Sequence, residues 1–421
     1  MTKLFKRIYH FSRMLGPGML FAAAAMGASH LIQSTRAGAN YGFIMIFAVL
    51  LISIIKYPFF EYAQRLTVVT NKTLLQGYAH LGRWILLGYI LITVLVSFTT
   101  VATVSFITAN IFSYMIGATI SPLVFSIAII SFCASVVFIG NYIWLERIVK
   151  LILVILAAST ITAVVLAFPH NVERVAATPH PDLWNLAAFS FILALMGWMP
   201  APLEVSVWVS LWTKRRHRDS VAPPTPKEAM LDFNIGYIFS AILAVAFVAL
   251  GTLVMFGSGE YFSDSGIRFT EQLMTLYTSH IGLWSEPILE IAALTTMFST
   301  TITCLDGYPR AISTAAYLAF PPLKKYFPLM YWYSVLILFF GCIILSGFFV
   351  KNMTKLLDFA TTFAFLWTPV FAFINYKVIT NIEIIPKEHQ PGKFLLYLGR
   401  FGIVFLSVVC GLYLSWHLWA V

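Results

Sequence analysis

The chain has 421 residues, of which 60% are hydrophobic and only 10% charged, with a mean hydropathy of +0.85. Soluble domains carry roughly 25% charged residues, so an assembly of soluble domains is excluded and most of the chain must lie in lipid. The formal net charge of +10 suits basic loops that fix orientation at a membrane surface rather than a nucleic-acid partner.

A helix needs roughly 20 apolar residues to cross a bilayer. Eleven spanning segments are predicted, at about 15–35, 43–63, 83–114, 120–140, 147–168, 184–212, 231–256, 284–306, 327–349, 355–376 and 396–419. The stretch at about 257–283 is polar and reads as a loop with one surface helix. The chain is expected to be one transmembrane domain over 1–421, with a first repeat at about 15–168, a second at about 184–376 and an extra helix at about 396–419. No small-residue cleavage site follows the basic N-terminus, so no removable signal peptide is expected.

With the N-terminus inside, 21 Lys and Arg fall at inner ends, among them Lys3, Lys6, Arg7, Arg13, Arg147 and Lys150, against five at outer ends, including Lys351. This asymmetry predicts a cytoplasmic N-terminus, an outside C-terminus and residence in the cell's inner (plasma) membrane. Cys133, Cys304, Cys342 and Cys410 lie inside apolar segments without metal or redox spacing, and read as small core residues.

The first segment contains Gly27, Ala28, Ser29 and His30, a run of weak helix formers with a titratable side chain. The sixth contains Pro200 and Pro202 in mid-span. Each proline removes a donor and clashes with the preceding turn, so this helix must break. In hydrocarbon the freed carbonyls need partners, and a break is tolerated only within protein or beside a cavity. Glu204 follows within a turn, and a carboxyl at membrane depth marks a functional site. Paired interruptions in corresponding positions of two repeats point to the central site of a transporter.

Gly16-Pro17-Gly18, the close Gly38-Ala39-Asn40-Tyr41-Gly42-Phe43 and Met199-Pro200-Ala201-Pro202 resemble motifs of the Nramp family of metal transporters, in the amino acid–polyamine–organocation superfamily. The resemblance covers essentially the whole chain. It implies an all-α membrane protein of LeuT-type fold: two inverted five-helix repeats plus an eleventh helix, with helices 1 and 6 broken. It also implies alternating access and a metal cargo. The family's DPGN falls on Gly27-Ala28-Ser29-His30, so the metal-binding aspartate is Gly27 and the asparagine His30. In the sixth helix the methionine is kept as Met199, while histidine and asparagine become Ala201 and Pro202. The helix-3 acidic pair used for protons falls on Val101 and Val104, and the helix-10 glutamine near Thr361. The resemblance thus places a rebuilt substrate site on Gly27, Ala28, Ser29, His30, Met196, Met199, Ala201, Glu204 and Thr361.

The residues leave alternatives open. His30 is either a neutral core histidine or a cargo ligand or proton carrier; with Met199 it would suit a borderline or soft metal. Lys56 is the obvious partner of Glu204. It could instead snorkel to the inner interface, pair with Glu61, gate, or stand in for a coupling cation. Met196 and Met199 flank the break and serve packing or a soft ion. Asp306 and Asp358 read as solvated or capping residues. Three functions follow: a metal transporter with a rebuilt site lacking the usual aspartate and proton path, a transporter of a small organic or inorganic solute, and a non-transporting sensor. The expected partners are the lipid bilayer and a small cargo. No nucleophile–base constellation or cofactor loop is visible, so neither an enzyme nor a cofactor is expected.

Overall fold

The computed structural model describes residues 17–117, 120–139, 143–219, 224–350 and 352–419. Gly16, the basic residues Lys3 to Arg13, Lys351, and the side chains of Arg147 and Lys150 lie outside the described residues. The described chain is built of helices: α1 (Pro17–Ala25), a wide π-type stretch (Ser29–Ser34), α2 (Thr35–Tyr41), α3 (Ile44–Thr70), α4 (Leu74–Leu81), α5 (Arg83–Met115), α6 (Pro122–Ile139) and α7 (Ile143–Ala177). There follow α8 (Leu186–Trp198), α9 (Val205–Asp219), α10 (Pro226–Met255), α11 (Gly266–Ile281), α12 (Glu286–Ala319), α13 (Phe327–Phe348), α14 (Met353–Thr380) and α15 (Lys393–Trp419).

Among the described residues, nine helical stretches are long and apolar enough to span a bilayer alone. The first and sixth segments complete the predicted eleven, each assembled from two half-helices. The chain is an all-α membrane protein of the LeuT type, with α1–α2 and α8–α9 as its broken members. The surface helix expected after the seventh segment is α11.

Helix ends follow local chemistry. In α10, the Thr225 hydroxyl accepts from the Glu228 amide, the Glu228 carboxylate accepts from the Thr225 amide, and Pro226 takes the first turn. The Asn185 side chain caps α8 through the Ala188 amide at 2.8 Å. Several helices overrun their expected ends, α3 to Thr70, α7 to Ala177 and α9 to Asp219, and α12 most of all: it runs on to Ala319, past the charged residues near 306. Asp306 is buried rather than solvated. It accepts from Arg310 one turn on (2.5 and 3.1 Å) and from Tyr331 of α13 (2.5 Å), so the pair satisfies itself and the helix continues.

The broken helices sit at the centre. Far more of α10 than of α15 is buried, which places α15 at the lipid boundary. Small residues let backbones touch where hydrophobic attraction between helices is absent. A Cβ on Gly18 would meet the Asp232 carbonyl oxygen at 2.0 Å, and one on Gly251 the Thr35 oxygen at 2.1 Å, so both halves of the first segment lie directly on α10. A Cβ on Gly197 would meet the Thr361 oxygen at 2.0 Å, seating α8 on α14.

Candidate functional site

The first segment leaves helical geometry at Met26 and Gly27, and its wide turns begin at Ser29. Gly27 lies against α12: a Cβ there would stand 2.7 Å from Thr300 Oγ1. The sixth segment stops at Trp198, runs through Met199–Glu204 without regular helix, and resumes at Val205.

Both interruptions face one cavity of about 30 Å³. Its lining includes Gly27, Ala28 and Ser29 from the first break, and Trp198, Pro202 and Val205 from the second. The wall is closed by Thr100 and Val104 of α5, Trp208 of α9, and Thr300, Cys304 and Tyr308 of α12. By this measure a water needs roughly 10–15 Å³, so the space holds about two waters. None of the lining residues is Asp, Glu or His. The indole N–H groups of Trp198 and Trp208 are buried without a partner. The Trp208 and Tyr308 rings meet edge to face, with centroids 4.7 Å apart. Gly307 makes room for this indole, since a Cβ there would lie 2.9 Å from it.

His30 does not line the cavity. Its ring turns to α10, with Nδ1 2.9 Å from Ser29 Oγ and Nε2 3.0 Å from both the carbonyl oxygen and the hydroxyl of Ser240. Ser29 donates its own proton to the Ala25 carbonyl at 2.6 Å. The Ser240 carbonyl can only accept, so Nε2 carries a proton and donates to it, while the Ser29 hydroxyl proton is shared between the Ala25 carbonyl and Nδ1. Both ring nitrogens are committed, so His30 braces the break in this conformation.

Lys56 is fully buried, so it does not snorkel. Its ammonium donates to the carbonyls of Met196 (2.7 Å), Gly197 (2.8 Å) and Ala201 (3.2 Å). Both expected pairings are corrected. Glu61 is bound by Arg65, one turn along α3. Glu204 accepts from the Tyr308 hydroxyl at 3.2 Å, its other carboxylate oxygen has no partner, and it attracts Lys56 through space rather than by contact. The freed carbonyls of a broken helix outbid a carboxylate for this lysine because they have no other donor. Met196 and Ala201 therefore take part through their backbones, while Met199 is buried away from the cavity lining.

Asp358 is partly exposed, as expected, and is also ion-paired. It holds Arg36 through two bonds (2.7 and 3.0 Å) and accepts from Gln33 at 2.9 Å. Arg36 also donates to Gln33 and lies over the Phe191 ring, 5.2 Å from its centroid. This cluster ties the first segment, beyond its break, to α8 and α14. Thr361 is buried behind it, donating its hydroxyl to the Leu357 carbonyl at 2.9 Å. Val101 and Val104 are buried, and Val104 faces the cavity.

Sequence reasoning missed Thr100, Trp198, Trp208, Thr300, Cys304 and Tyr308. The available signals were the i, i+4 pairs Thr100/Val104 and Thr300/Cys304, and tryptophans in mid-span, where membrane helices usually keep them at the interface.

The sequence pattern of the family described as natural resistance-associated macrophage protein-like (Nramp) matches residues 18–417. An uncharacterised protein of Pasteurella multocida is 35% identical over 402 residues, covering 93% of this chain and 90% of that protein. A divalent metal cation transporter of Staphylococcus aureus is 25% identical over 310 residues, covering 69% of this chain and 65% of its own length. Among solved structures, the Eremococcus coleocola manganese transporter in complex with an aromatic bis-isothiourea compound superposes with a TM-score of 0.65 at 14% identity, covering 97% of this chain and 87% of that one. MhsT in complex with L-phenylalanine gives a TM-score of 0.59 at 15% identity, covering 93% and 98%.

Proposed function

We propose, from the premise that the chain belongs to the Nramp family of membrane transporters, that it is a secondary transporter whose cargo binds between the breaks of the first and sixth segments, and that this cargo is a small neutral or anionic solute with hydrogen-bond acceptors. The carrying observation is the polar inventory of the cavity. Two tryptophans of its wall, Trp198 and Trp208, carry buried indole N–H groups without a partner, and the wall holds no carboxylate or imidazole. Hard dications want several oxygen ligands, carboxylates above all. A buried N–H donor repels a cation and is satisfied only by an acceptor. Transport would proceed by one repeat rocking against the other around this fixed site, with the N-terminus cytoplasmic as the distribution of Lys and Arg favours.

Metal transport is the second reading. It is favoured by the Staphylococcus aureus relatives named divalent metal cation transporters, and Met199 stands where that family keeps its methionine.

The test is Mn²⁺ uptake by proteoliposomes under an inside-negative potential, with a parallel thermal-shift panel of small carboxylates and amides. The expected result is no Mn²⁺ uptake above empty liposomes and stabilisation by at least one acceptor-bearing solute that is lost in the Trp198→Phe, Trp208→Phe double variant. Robust Mn²⁺ uptake by the wild type sinks the solute reading in favour of the metal one.

A further inference from the structure

We propose that Lys56 is a tethered cation: its ammonium fills a carbonyl site in the break of the sixth segment that otherwise takes an alkali cation. Three carbonyl oxygens, of Met196, Gly197 and Ala201, converge on Nζ at 2.7, 2.8 and 3.2 Å. An ammonium has three N–H donors, and all three are used on neutral dipoles. No carboxylate lies within ion-pairing distance of Lys56 among the described residues; Glu204 acts on it only through space.

The backbone explains why a cation belongs there. Helix α8 ends at Trp198, so the carbonyls of its last turn have no donors further along the chain. The same end carries the partial negative charge of the helix dipole. Ala201 adds a carbonyl from the non-helical stretch. Clustered carbonyls replacing a hydration shell are how proteins hold bare alkali cations, and half-helix ends with unwound carbonyls are where transporters of this architecture coordinate coupling ions. An ammonium is close in size to a potassium ion and makes the same demand on oxygen dipoles. The difference is the tether: Lys56 cannot dissociate, so no alkali-ion gradient is spent at this position. The inference is independent of the cargo, because it concerns the ligation of one buried charge outside the cavity lining.

The test is apparent melting temperature of the full chain in detergent, in KCl, NaCl and choline chloride at equal ionic strength. The wild type is expected to melt alike in all three. Lys56→Ala should melt several degrees lower in choline and recover at least half of that loss, saturably, in K⁺ or Na⁺. Lys56→Gln, whose amide can serve two of the carbonyls without a charge, should melt between the two and show no cation response. Selective stabilisation of the wild type by K⁺ or Na⁺ would overturn the inference. So would a Lys56→Ala protein that melts alike in all salts, or one that yields no folded protein even in K⁺ and Na⁺.

Discussion

Gly197→Ala adds one methyl group at the seam between α8 and α14, and the structure sets its cost. The new Cβ would stand 2.0 Å from the Thr361 carbonyl oxygen and 2.8 Å from its carbon. Ordinary carbon–oxygen contact begins near ~3.2 Å, so α8 must back off by about 1 Å, and neither partner is a side chain that can turn away. Overpacking of this kind costs about 1–3 kcal/mol. The shift also carries the Gly197 carbonyl away from Lys56, now 2.8 Å from it, and an orphaned buried acceptor adds about 1–3 kcal/mol. Together the loss is about 2–6 kcal/mol. All four cysteines are free and buried, so a thiol-reactive fluorophore reports unfolding directly in detergent. The expected outcome is a clearly lower melting temperature for Gly197→Ala and an unchanged one for Gly347→Ala, where a Cβ meets nothing within 4 Å. If both variants melt with the wild type, the close backbone seam does not exist and the helix-6 break is positioned by something else.

Two further predictions follow from the site. Asp358→Asn removes the charge that holds Arg36 and Gln33, so the tie between α2 and α14 should loosen; a membrane-impermeant maleimide should label the cavity residue Cys304 faster than in the wild type, in a background where the other three cysteines are serine. Gly27→Asp should destabilise the fold, because its Cβ would press on Thr300 at 2.7 Å; Thr300→Ala should recover part of the melting temperature, and an additive double variant would refute the contact.

The two breaks were legible because their causes are local. Pro200 and Pro202 cannot continue a helix, and Gly27 with Ser29 weakens one. The direction of His30 was not legible. Between Ser29 and Ser34 the backbone takes wide π-type turns, so the rotational phase that a helical wheel assumes is lost at the residue whose orientation matters. The partners of Lys56 were hidden for a different reason. They are backbone carbonyls, which every residue carries and no side-chain pattern announces. Asp306 misled because a charge in an apolar stretch resembles a helix end, while its partners stand one turn on and on the next helix. The cavity wall was partly readable from Thr100, Thr300 and Cys304 at helical spacing, but which spacing faces inward depends on how α5 and α12 pack.

The departures from the family pattern share one physical direction. Position 27, on which the resemblance places the family's aspartate, is a glycine whose Cβ would stand 2.7 Å from Thr300 Oγ1, so a carboxylate side chain there would have to displace the Thr300 side chain. The carbonyls freed by the sixth break, which could have helped to hold a cation, are spent on Lys56. The positions of the acidic pair in α5 are buried valines. Removing an anion and adding a fixed cation both raise the potential at the centre of the membrane. A fixed ammonium in a low-dielectric interior repels a dication more strongly than a neutral or anionic cargo. Glu204 offsets part of that field, yet its hydrogen bond goes to Tyr308 and it does not reach the cavity lining. Reversing any one of these changes leaves the others opposing a divalent ion, whereas each is compatible with a cargo that presents acceptors to Trp198 and Trp208. On the function proposed above, these replacements are consistent with one another.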